Sequence, residues 1–202
     1  MVLTRRRVRL CAVVLAVLMA GAAVVVAVWR HDYPVRHFAV VQRDVLYRSA
    51  QPDEAGWKRL RDHYGIRTVI DVREDAPDAP WAVLEKRFCR ENGIRHLKLS
   101  IGSDYFRDEQ LRVMIQTISD PKCQPVLVHC EYGKSRTGIA VAAYRVAAQG
   151  WSYQAALAES QKFKKNMEPG YVAYLKELAD GKGWRPSAPA AAVGFDARKA
   201  YP

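Results

Sequence analysis

Residues 125–149 set the narrowest limits on this chain. Pro125-Val126-Leu127-Val128 is an apolar run that passes through the turn His129 to Gly138 into an apolar helix pattern, Thr137 to Gln149. A strand without polar alternation must be covered on both faces. A helix without a polar face must be buried among other elements. A layered sheet with helices on both sides meets both demands.

The rest of the chain repeats this alternation. Phe38 to Val41 and Val45 to Tyr47 are β-type runs, with a turn at Arg43-Asp44. Pro52-Asp53-Glu54 opens a helix with Trp57, Leu60 and Tyr64 on one face, and Gly65 stops it. Thr68 to Val72 is a second covered strand, and Pro80 to Asn92 a helix ending at Gly93. Ile94 to Leu99 alternates and is more polar, as an edge strand does. Asp108 to Ile118 is amphipathic, Ser152 caps a further helix, and Gly170 to Ala179 forms the last. The expected fold is α/β: a single, largely parallel central sheet flanked by helices, with its ligand site beyond the carboxyl ends of the strands.

The chain ends read differently. Leu10 to Val28 carries no charge over nineteen residues, after Arg5, Arg6, Arg7 and Arg9. As a helix it measures about 28 Å, close to the ~30 Å hydrocarbon core. Trp29, Arg30 and Tyr33 follow, as at a membrane interface. The rival reading is a cleaved signal peptide with Ala20-Gly21-Ala22 near the cleavage site, but the apolar run through Val28 exceeds a usual signal core. The expectation is one N-terminal transmembrane helix. The resulting division is a basic segment and anchor at 1–30, a domain at 33–181, and a loose Ala/Pro/Gly tail at 182–202. Only Arg30 and Arg36 follow the run closely, partly offset by Asp32, so the positive-inside rule places residues 1–9 in the cytoplasm and the domain outside it.

The turn after the buried strand carries the chemistry. It reads His129-Cys130-Glu131-Tyr132-Gly133-Lys134-Ser135-Arg136-Thr137-Gly138. A tight loop entering a helix aims several backbone N–H groups at one point, an anion cradle. Gly133 permits positive φ and Gly138 a close first helical turn. Arg136 offers a planar fork for two phosphate oxygens. A helix N-terminus favours the charged form of a thiol, so Cys130 is the expected nucleophile toward phosphorus. Thr137 is expected to donate a hydrogen bond to its sulfur, and His129 to fix the loop's shape. Alone, Cys130 reads as an inert buried thiol and Arg136 as a surface charge; their spacing around two glycines weakens both readings.

This string resembles the Cys-x5-Arg phosphate loop of cysteine-based protein tyrosine and dual-specificity phosphatases. Leu46-Tyr47-Arg48-Ser49-Ala50-Gln51-Pro52 and Gly65-Ile66-Arg67-Thr68-Val69-Ile70-Asp71-Val72-Arg73 are similar to segments of the compact, atypical dual-specificity branch of bacteria, fungi and plants. The likeness covers roughly Tyr33 to Ala179. It implies a cysteinyl-phosphate formed at Cys130 and then hydrolysed, with no metal or other cofactor. It also implies an aspartic acid on an upstream loop that protonates the leaving oxygen and later activates water. Asp104 and Asp108 are the candidates. Asp108 reads as a helix cap and Asp104 sits in the flexible stretch after Ile101-Gly102-Ser103, so Asp104 is the expected acid. The stretch lacks the Trp-Pro-Asp of phosphotyrosine-specific enzymes.

Glu131, Tyr132, Gly133, Lys134, Ser135 and Arg136 form the expected substrate-binding loop, with Arg73 facing the same crevice. Lys134 suits substrates carrying more than one phosphate, so the expected partners are phosphoproteins, or phosphoinositides and inositol phosphates. Lys162, Lys164 and Lys165 read as a solvated helix end rather than a substrate patch. Cys89 and Cys123 read as free core thiols, with pairing as the alternative.

The net charge of +11 favours anionic partners, but no nucleic-acid motif accompanies it. A rhodanese-type sulfurtransferase also starts an anion loop with Cys; His129 and the Arg136-Thr137-Gly138 ending favour the phosphatase. A binding module without catalysis would lack the Cys, the Arg or the acid, and all three are present.

Overall fold

The computed structural model describes the backbone of residues 5–32 and 35–184, and the side chains of 11–24 and 35–184. The chain divides into two units, Met1–Pro34 and Val35–Pro202. The first holds α1 (Arg5–Asp32), a continuous helix of 28 residues. Among the described residues no helix is long and apolar enough to cross a membrane. The side chains at both ends of the Leu10–Val28 run, the arginines before it, and Trp29, Arg30 and Tyr33 lie outside those described. The anchor therefore rests on the sequence.

The second unit alternates strands and helices. It comprises β1 (Ala39–Gln42), β2 (Leu46–Ser49), α2 (Glu54–Tyr64), β3 (Thr68–Asp71), α3 (Pro80–Glu91), β4 (Arg95–Lys98), α4 (Asp108–Ser119), β5 (Val126–His129), α5 (Ser135–Gln149), α6 (Tyr153–Gln161) and α7 (Pro169–Ala179). The sheet order is β1-β2-β5-β3-β4. Only the β1–β2 pair is antiparallel. The loop-bearing strand is thus central, and β4 is an edge, as its polarity requires.

Strand periodicity divides the core in two. Leu46, Ile70, Val126 and Val128 face a cluster with residues of α4, α5, α6 and α7. Tyr47, Val69 and Leu127 face the other side, against Trp57 and Leu60 of α2 and Phe88 of α3. Helix α5 packs on α4, α6, α7 and β5, so Ile139 through Val146 are all buried and no polar face survives. Gly138 lies under α6, and the Ser160 hydroxyl donates to its carbonyl at 3.0 Å.

Two expectations change. Asp108 does not cap α4: Arg107 holds that position, and its N–H is bound by Gln110 Oε1 at 2.9 Å. The start of the expected tail is docked. Trp184 packs against the core and its N–H donates to Asp108 Oδ2 at 3.0 Å. Residues 185–202 lie outside the described residues.

Candidate active site

Central β5 delivers Cys130 to the carboxyl edge of the sheet, 4% exposed, and the chain turns there into α5. Gly133 adopts φ +65°, and a Cβ there would lie 2.5 Å from Ala50 N and 2.6 Å from Ser49 O. Only glycine tolerates both the conformation and the approach of β2.

Three successive loop carbonyls are bound from outside the loop. Glu131 O accepts from Gln51 N at 3.1 Å, Tyr132 O meets His37 Nδ1 at 2.6 Å, and Gly133 O accepts from Arg48 Nη2 at 2.7 Å. In a trans peptide the N–H points opposite the carbonyl. The N–H groups of Tyr132, Gly133 and Lys134 therefore face away from these partners, toward the anion side of the loop. His37, Arg48 and Gln51 are the brackets that sequence reasoning missed. Gln51 and Arg48 lie within a recognised segment, but nothing local announces their contact with loop residues 80 and 85 positions away.

Cys130 opens into a cleft of about 430 Å³. The loop residues Glu131, Tyr132, Lys134, Ser135 and Arg136 form one side, and Ser103, Lys164 and Glu168 complete it. Arg136 Nη2 donates to Glu74 Oε1 at 2.5 Å, and its Nε is buried without a protein partner. Glu74 thus orients the fork, and the Nε–H keeps no protein partner. Lys164 was misread as solvated. Its Nζ donates to Ser135 Oγ at 2.9 Å and to Glu168, which tie it to the cleft wall. Partial burial raises the Glu168 carboxyl, but its hydrogen bonds and the Lys164 charge outweigh that and lower it.

Asp104 is exposed, and its Oδ1 accepts from Gly170 N at 2.8 Å at the start of α7. A Cβ on Gly170 would meet Asp104 O at 1.9 Å, so glycine is required for this approach. Its neighbour Ser103 lines the cleft; Asp104 itself does not. Asp108 is held elsewhere, accepting from Tyr174 Oη at 2.7 Å and from Trp184 N.

Two further roles are corrected. Thr137 is fully buried and its hydroxyl has no hydrogen-bond partner, so it does not donate to Cys130. Arg73 does not line the cleft. Its guanidinium lies 3.4 Å from the Trp81 ring centroid, its Nη1 donates to Gln51 Oε1 at 3.1 Å, and its Nη2 is 3.7 Å from Glu131 Oε2. It buttresses the loop from the rim.

His129 is fully buried behind the loop, with Nε2 3.1 Å from Glu85 Oε1. Burial works against its charged form, but Glu85 outweighs this and raises it to about 9. Asp71, Glu85 and His96 bring one ligand atom each within 4.8 Å of one another. Their oxygens already serve Lys98, His96, His129 and Gln51. Cys89 and Cys123 are buried and unpaired, as expected. Burial pushes the Cys89 thiol up to about 12, which keeps it inert.

A central-strand cysteine, a bracketed anion loop and an oriented arginine define a phosphate-handling site on an α/β sheet. The profile described as the tyrosine phosphatase family matches residues 33–179, and the chain belongs to that family. It is 37% identical over 117 residues to the dual specificity protein phosphatase TpbA of Pseudomonas aeruginosa, covering 57% of this chain and 50% of TpbA. The chain thus spans about half the length of that relative. It is 29% identical over 135 residues to the inositol diphosphatase DSP4 of Arabidopsis thaliana, 64% of this chain and 65% of DSP4. The catalytic core of the PP-IP phosphatase SIW14 from S. cerevisiae superposes with a TM-score of 0.63 at 21% identity, over 73% of this chain and 88% of that one. That last likeness is one of fold.

Proposed function

We propose that this protein is a membrane-anchored phosphomonoester hydrolase working through a cysteinyl-phosphate. The observation that carries the reading is the placement of Cys130 and Arg136 on one cleft, with Arg136 Nε buried and unpartnered there. The Cys130 thiolate attacks phosphorus, the bond to the leaving oxygen breaks, and Asp104 gives that oxygen its proton. Water then attacks the phosphocysteine, Asp104 takes a proton back, and the S–P bond breaks to release inorganic phosphate. Asp104 must exchange the Gly170 N–H for the leaving oxygen.

The first substrate class is phosphoprotein, supported by the likeness to TpbA. The second is a phosphoinositide or inositol phosphate. It is supported by Lys134 and Lys164 on the cleft walls and by the likeness to an inositol diphosphatase. The uncharged run Leu10–Val28 and the continuous helix through it support anchoring. The arginines before it support an extracytoplasmic domain.

In full-length protein, Cys130→Ser abolishes hydrolysis of an aryl phosphate while phosphate-like inhibitors still bind. Turnover near the parent rate defeats the mechanism. Protease added to intact spheroplasts digests the domain; protection until lysis places the domain in the cytoplasm instead.

A further inference from the structure

Glu85 of α3 is a carboxylate 1% exposed on the face of the sheet away from α5. Its Oε1 meets His129 Nε2 at 3.1 Å and His96 Nε2 at 2.8 Å, and its Oε2 accepts from Gln51 Nε2 at 2.8 Å. Two of these partners belong to the phosphate loop's frame. His129 precedes Cys130, and Gln51 donates its backbone N–H to Glu131 O. A buried carboxylate is tolerated only where charge and hydrogen bonds balance it.

We propose that Glu85 is a positioning residue of the candidate active site. It clamps His129 and Gln51 behind the phosphate loop and keeps His129 as an imidazolium directly behind Cys130. The proposal rests on Cys130 being the nucleophile.

Three observations favour it. His129 is fully buried, with its ring edge-on to Trp57 at 5.6 Å, so water does not solvate a charge on the ring. The acidic groups facing His129 are Glu85 from α3, Asp71 from β3 and Cys130 itself. Asp71 is already held by Lys98 at 2.7 Å, which leaves Glu85 as the direct partner. Around Cys130 stand Arg48 of β2, His129 of β5, Arg136 of α5 and Tyr171 of α7. Arg136 is paired with Glu74, so the charge behind the sulfur comes from Arg48 and His129. A neutral side chain at 85 lets His129 lose its proton near neutral pH and removes one of those two charges.

The test compares full-length parent and Glu85→Gln. Iodoacetamide alkylation of Cys130 is followed against pH by mass spectrometry, which separates it from Cys11, Cys89 and Cys123. The alkylation midpoint moves upward by about one pH unit or more in the variant. The acidic limb of kcat/KM for an aryl phosphate moves the same way. A folded variant whose Cys130 profile superimposes on the parent overturns the proposal, whatever its activity. Should the variant not fold, the histidine ring nitrogens of the parent are read by NMR: protonation of both His129 nitrogens at pH 7.5 supports the proposal, and a neutral ring overturns it. A shifted alkylation profile with no turnover of any phosphomonoester leaves Glu85 its role and removes the hydrolase reading instead.

Discussion

Arg48 lies beneath Gly133. Its Nη2 donates to the glycine carbonyl at 2.7 Å, and its guanidinium carbon sits 3.6 Å from the Phe163 ring centroid. Burial lowers its pKa to about 10, against the opposing charges of Cys130 and Glu159, so it stays a cation at neutral pH. One buried side chain thereby joins β2, the phosphate loop and the segment that carries Lys164.

Arg48→Met keeps the packing volume and removes the donor. The orphaned Gly133 carbonyl costs roughly 1–3 kcal/mol, read as a lower urea midpoint. The loosened loop lowers kcat/KM for an aryl phosphate by about tenfold or more. Parent-like values for both show that the contact has no such role.

Asp104→Asn slows hydrolysis of phosphate esters with basic leaving groups by about 10²–10⁴-fold and barely affects those with acidic ones. Asp108→Asn keeps one acceptor oxygen where the carboxylate has two, so one of the bonds from Tyr174 Oη and Trp184 N is lost, and this is read in Tm, not in leaving-group dependence. The reverse pattern in a Brønsted series assigns the acid to Asp108.

Lys134→Ala and Lys164→Ala raise KM for an inositol polyphosphate by roughly fivefold each, as loss of a partly exposed ion contact does. Both leave KM for a singly phosphorylated tyrosine peptide nearly unchanged. Equal effects on the two substrates remove the case for clustered phosphates.

The Glu85–His129 pair makes stability depend on pH. His129 rises from 6.5 to about 9 on folding, so its contribution is complete below pH 6.5 and disappears as pH passes 9. Burial alone would raise Glu85, but its two histidines outweigh that and hold it below its ordinary 4.5. Its contribution is complete above pH 4.5 and fades in acid. The Tm difference between parent and Glu85→Gln is therefore largest near pH 5–6.5 and narrows toward pH 9. A difference that does not vary with pH excludes ionisation of the pair.

The elements and the nucleophile were legible because their causes are local. Asp53 and Gly65 cap α2 where the residue types require it, with the Asp53 side chain accepting from Gly56 N and Gly65 left-handed. The spacing from Cys130 to Arg136 is set within one turn of chain. Lys164 was misjudged because a lysine after a helix looks the same whether it meets solvent or a cleft wall. Arg73 was misplaced because a strand end fixes a position, not a direction; Trp81 drew its guanidinium aside.

Periodicity and turn chemistry thus determined by themselves that this chain builds a covered, mostly parallel sheet with a phosphate loop after its central strand. Only the tertiary structure decided what surrounds that loop. His37, Arg48 and Gln51 come from one end of the unit, Glu74 and Glu85 follow β3, and Lys164 and Glu168 precede α7. Hydrogen bonds and ion pairs between residues tens of positions apart have no period and no spacing rule. They exist only once burial of the two apolar faces has brought the strand ends and helix ends together.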